Sequence, residues 1–169
     1  MIVPTLVAVL ITCVVLATGA ALTDVGMWYR RLRKPRWNPP NWLFGPAWTV
    51  ILGLAAWAGV LAWLHAPDAA ARWRIGLLFG ANAVLHVLWS PLFFTFKRPD
   101  WAMIEMPFLW LSIVALMAGL SPLAPSAPLL LAPYLAWVSF AMVLNLTIVR
   151  LNAPFGAGAG ARPAKRPAE

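Results

Sequence analysis

The residues best suited to chemistry in this sequence are aromatic and amide side chains spaced at helical intervals. Trp48, Leu52, Ala55 and Gly59 recur every three or four residues, as do Asn82, His86 and Trp89, and again Tyr134, Trp137, Ala141 and Asn145. A helix turns about 100° per residue, so each set shares one face. Such faces stack on flat rings and orient them with a few hydrogen bonds, and small residues opposite large ones leave room for a guest. A second chemistry is cationic. From residue 28 to residue 48 the chain reads WYRRLRKPRWNPPNWLFGPAW, which sets Trp28, Tyr29, Trp37, Trp42 and Trp48 among Arg30, Arg31, Arg33, Lys34 and Arg36. Pro35, Pro39, Pro40 and Pro46 stiffen the segment by fixing φ. A rigid aromatic and basic cap of this kind suits a flat, apolar, anionic ligand.

His86 offers either an axial ligand to a haem iron or a hydrogen bond to a neighbouring helix. One histidine on an aromatic face is a weak metal signal, and no protein metal site is expected. Glu105 reads as an interfacial ion-pairing or helix N-terminal carboxylate near Lys97 and Arg98. It has no second carboxylate beside it, so paired acid–base catalysis has no support.

The elements that must position these residues are membrane helices. Residues 1–23, 37–67, 75–96 and 106–149 carry no Lys, Arg, Asp or Glu. About 20 residues cross a bilayer, so the last stretch is too long for one helix. SPLAPSAP at 121–128 divides it, because its prolines stop a helix. Five spans follow, at about 3–23, 42–64, 73–96, 101–120 and 127–149, joined by an aromatic and basic loop at 24–41. Backbone groups in lipid need internal partners, which makes the spans α-helical. The fold expected is an all-α five-helix membrane bundle over residues 1–152. Residues 153–169 read as a disordered basic tail touching anionic lipid. The first span has no Lys or Arg ahead of it, which argues against a cleaved signal peptide.

Charge sets the expected orientation. Eleven Lys/Arg fall on the side holding the 24–41 loop, the 97–100 loop and the C-terminal tail, and only Arg72 and Arg74 fall on the other. The excess marks the cytoplasmic side, placing the N-terminus outside and the C-terminus inside. Trp48, His86 and Trp89 then lie at similar depth, with Trp137 nearer the midplane and Asn145 nearer the loop. All converge in the cytoplasmic half beneath the aromatic loop. On the third span Gly76, Gly80 and Ala83 form a separate small-residue face containing GxxxG, which serves close packing within one chain or between two.

Composition excludes several classes. The chain is 62% hydrophobic and 11% charged, against about 25% charged in soluble domains. The net charge of +8 does not point to nucleic acid, because the basic residues sit between apolar spans. One cysteine, Cys13, excludes a disulfide framework, and two histidines argue against a multi-His site.

Three motifs carry a family resemblance. The first is Trp28-Tyr29, Leu32, Lys34-Pro35, Trp37, Pro39-Pro40, Trp42 and Pro46-x-Trp48-Thr49. The second is Leu88-Trp89-Ser90-Pro91 with Phe93-Phe94. The third is Pro133-Tyr134-Leu135-x-Trp137, then Ala141 and Leu144-Asn145. Together they resemble the TspO/translocator protein family, the tryptophan-rich sensory proteins or peripheral benzodiazepine receptors, over nearly the whole chain to Asn152. The resemblance implies a homodimer seamed by the third helix at Gly76, Gly80 and Ala83. It implies porphyrin or haem as ligand with no required cofactor, in a pocket lined by Tyr29, Trp37, Trp48, Trp89, Trp137, Ala141 and Asn145. Asn82 and His86 stand where the family usually carries Gln and Asn, a change that alters ligand polarity or adds an iron ligand. Some relatives promote light-dependent porphyrin breakdown, for which Trp48 and Trp137 would be the catalytic pair. Leu146 replaces a Tyr of the animal cholesterol motif, so no sterol binding is expected. A bacterial cell membrane is the expected location, with inner versus outer left open. A tetrapyrrole sensor or regulator is the leading expectation. A porphyrin-degrading enzyme is the alternative, and a transporter is disfavoured because the chain lacks an inverted repeat and a charged relay.

Overall fold

The computed structural model describes residues 1–156. The proposed tail lies outside the described residues from 157 onward. Among the described residues six α-helices form: α1 (Ile2–Ala21), α2 (Met27–Arg31), α3 (Asn41–Leu64), α4 (Ala69–Ser90), α5 (Pro99–Leu120) and α6 (Ala127–Asn152). A π-helical turn, Pro91–Thr95, extends α4 to Thr95. No strand occurs among the described residues. Five of these helices are long and apolar enough to cross a membrane, matching the five expected spans. The chain is an integral multi-pass membrane protein of helical-bundle class.

The boundaries differ from expectation where capping chemistry extends a helix. α4 begins at residue 69, earlier than charge alone suggests, because the Asp68 carboxylate accepts a hydrogen bond from the Ala71 N–H at 2.7 Å. α5 begins at Pro99 and α6 carries Pro128 in its first turn, where a missing N–H costs nothing. Lys97 turns the chain between the π-helical segment and α5 with φ of 55°. The loop also contains the short helix α2, whose five residues are too few for a periodicity signal.

The core lies between α3, α4, α5 and α6, around Ile113, Leu116, Leu120, Leu131, Tyr134 and Val138. α1 buries no residue and leans mainly on α3. A second cluster closes the loop end of the bundle: Tyr29 from α2, Phe93 and Phe94 from the π-helical turn, Ala102 from α5, and Leu144 and Ile148 from α6. The loop is latched there. Asn152 Oδ1 accepts from the Arg33 N–H, and Asn152 Nδ2 donates to the Arg33 carbonyl, both at 2.8 Å. One amide side chain thus ties the basic segment to the end of α6.

Candidate functional site

Trp48 stands on α3 two residues after Pro46 and meets two other helices with its ring. Its indole packs edge-on against His86 of α4 at 4.6 Å, Tyr134 of α6 at 5.9 Å and Trp137 of α6 at 6.2 Å. Edge-to-face rings at such distances add roughly 0.5–1.5 kcal/mol per pair beyond burial. Trp137 continues the aromatic wall to Phe44 at 5.8 Å and Phe140 at 5.7 Å. The same Trp137 and Phe140 border an open depression of about 520 Å³ between α3 and α6.

A polar chain backs this wall. The Tyr134 hydroxyl lies 3.2 Å from both Asn82 Oδ1 and His86 Nδ1. Asn82 Nδ2 donates to Ser112 Oγ at 2.8 Å, and Ser112 donates to the Leu109 carbonyl at 2.7 Å. Asn82 Oδ1 is therefore an acceptor, and it takes the single phenolic proton. A neutral His86 then donates from Nδ1 to the phenol oxygen, which leaves Nε2 with a free lone pair. His86 makes the helix–helix hydrogen bond and keeps one nitrogen for another partner.

The other sequence-derived positions divide into neighbouring settings. Trp89 stacks on Phe93 at 5.0 Å and faces Phe94 at 5.9 Å, within the loop-end cluster. Tyr29 is buried in that cluster against Phe94 at 5.5 Å. The Lys34 ammonium caps it, donating to the Tyr29 carbonyl at 2.6 Å and lying 3.9 Å over the ring. Burial raises the Tyr29 phenol above its ordinary pKa and lowers that of Lys34. Trp37 is half exposed at the rim, with its ring 5.7 Å from Phe140. Ala141 packs half-buried against the core. Asn145 turns toward α5 and donates to the Pro99 carbonyl at 3.2 Å. Gly76, Gly80 and Ala83 line a groove between α1 and α4, and a Cβ at either glycine would meet nothing within 4 Å.

Glu105 departs from its sequence reading. It is 6% exposed and among the described residues makes no hydrogen bond or ion pair, whereas Arg98 pairs with Asp100. Helical phase explains this: Glu105 sits on the same face of α5 as Ala102, Met106 and Leu109, all buried. Sequence reasoning placed Tyr134 on the right face but did not assign it to the site. It missed Ser112 and Phe140 altogether. The spacing of Ser112 carries no signal, since its pairing with Asn82 depends on the register of α4 against α5.

Fold and site together define a five-helix membrane bundle with a tryptophan-walled site beneath a latched basic loop. The TspO/MBR family model matches residues 6–151, and the chain belongs to that family. It is 38% identical over 133 residues to "Tryptophan-rich protein TspO" of Chlorobaculum tepidum, covering 74% of this chain and 79% of that protein. It is 35% identical over 143 residues to "Tryptophan-rich sensory protein" of Cereibacter sphaeroides, covering 85% and 88%. It is 30% identical over 126 residues to "Translocator protein" of Homo sapiens, covering 74% and 75%.

Proposed function

We propose that this protein is a membrane tetrapyrrole-binding sensor or regulator. The observation that carries the reading is the convergence of Trp48, Trp137, His86 and Tyr134 from three helices into one aromatic wall. Flat apolar rings stack on indoles, and a hydrogen-bonded polar chain behind the wall holds the rings in place. A porphyrin seated there directs its propionates toward the basic loop, where Arg33 and Lys34 are fixed by the Asn152 latch and by Tyr29. His86 Nε2 provides an axial nitrogen for haem iron or an acceptor for a metal-free ring. The sensory naming of the Cereibacter sphaeroides relative supports a regulatory role.

Titration with protoporphyrin IX tests this. Tryptophan fluorescence falls saturably, and Trp137→Ala weakens binding. Equal affinity in that variant removes Trp137 from the site. A second reading, light-dependent porphyrin breakdown, draws on the contact of Trp48 with Trp137, which places two oxidisable indoles side by side. Under illumination, pigment loss that proceeds equally fast in Trp48→Phe discards it.

A further inference from the structure

Away from the aromatic wall, α1, α3 and α4 enclose a groove-shaped cavity of about 370 Å³. Its walls run from Val3 to Val15 on α1, from Leu52 to Trp63 on α3, and from Ile75 to His86 on α4. At about 1.5 Å per residue each wall is roughly 16–18 Å long, enough to lay one extended acyl chain along it.

The lining is hydrocarbon along most of its length. Thr12 turns its hydroxyl to the Ala8 carbonyl at 2.8 Å, and the Asn82 amide is engaged by Ser112 and Tyr134. The groove stays open toward the surroundings because α1 buries none of its residues, with Val3 and Ile11 more than half exposed. Gly76 and Gly80 keep the α4 wall shallow. One end carries charge. Trp63 lines the mouth, and the Arg72 guanidinium lies over its ring at 5.8 Å. This is the end of the bundle opposite the basic loop.

We infer that this groove holds one acyl chain of an anionic phospholipid from the surrounding bilayer, with the lipid phosphate on Arg72. Arginine pairs with phosphate through paired N–H donors, and the Trp63 ring suits the headgroup boundary. The long apolar walls suit an acyl chain and the cation selects the anionic headgroup. The groove is distinct from the depression beside Trp137 and Phe140 and borders the aromatic wall through Leu52, Ala55 and Gly59 on the Trp48 face of α3 and through Asn82 and His86 on α4.

Native mass spectrometry on protein released from nanodiscs of equal phosphatidylglycerol and phosphatidylcholine tests the inference. Wild type retains one phosphatidylglycerol per protomer. Val7→Trp and Gly80→Leu fill the groove from opposite walls, and both lose the retained lipid while circular dichroism shows full helix content. Arg72→Gln lowers the preference for phosphatidylglycerol over phosphatidylcholine about five-fold, the effect of one cation near an anionic headgroup. Lipid retention unchanged in both groove-filling variants overturns the inference. So does co-purification of a free fatty acid in place of phospholipid. A second copy of the chain is the rival occupant, because the same glycines mark the expected dimer seam. If Gly80→Leu dissociates a dimer while Val7→Trp keeps its lipid, the second copy covers this face and the lipid assignment fails.

Discussion

Replacing Tyr134 by Phe removes one oxygen from the centre of the bundle and leaves the ring where it is. Tyr134 is fully buried, so its packing against Trp48 persists in the variant. The hydroxyl joins Asn82 Oδ1 to His86 Nδ1. Its loss leaves both polar atoms without that partner. A stranded buried group costs about 1–3 kcal/mol in soluble proteins, while helix–helix hydrogen bonds within membranes average about 0.6 kcal/mol. The membrane value governs here, and two bonds give about 1–2 kcal/mol. At roughly 2–4 °C per kcal/mol for a chain of this size, the melting midpoint falls by roughly 2–8 °C. Thermal unfolding in detergent, followed by tryptophan fluorescence, measures the shift. In the double variant Tyr134→Phe with His86→Phe, one stranded atom is gone, so the combined loss is smaller than the sum of the single losses. A Tyr134→Phe protein melting with wild type, or strict additivity in the pair, refutes the polar chain as a structural support for the site.

Three further outcomes are expected. Asn152→Ala removes both hydrogen bonds of the loop latch, so limited trypsin digestion at Arg30 to Arg36 speeds up by about tenfold, corresponding to about 1.4 kcal/mol of lost latch energy; cleavage at the wild-type rate contradicts the latch. Glu105→Gln changes the melting midpoint little, because Glu105 has no ion-pair partner to lose, and a fall of many degrees in a melting scan would show a hidden partner. Asp68→Ala removes the N-cap of α4 and costs about 1 kcal/mol, read as a fall of a few degrees in the same scan.

The bundle was legible in the sequence because charge-free stretches of membrane length are a strong, local signal, and SPLAPSAP marked the one turn hidden inside such a stretch. Part of the aromatic spacing was legible as well: Trp48 packs against both His86 and Trp137. What the sequence hid depends on register between helices. Ser112 reaches Asn82 only because α4 and α5 run antiparallel with those residues at one level. Trp89 carries the right spacing, yet the π-helical turn after it supplies Phe93 and Phe94 as nearer neighbours than Trp48. Glu105 was misplaced by its closeness in sequence to Lys97 and Arg98, when its phase on α5 turns it inward. Asn152 marked only the end of the membrane domain in the sequence, and the folded loop reveals it as a latch.

The most direct test of the account is a structure with protoporphyrin IX bound. The account predicts the macrocycle against Trp48 and Trp137, with its propionates reaching Arg or Lys side chains of the loop. A macrocycle lodged on the outer surface of the bundle, with both indoles still packed against each other, would contradict it.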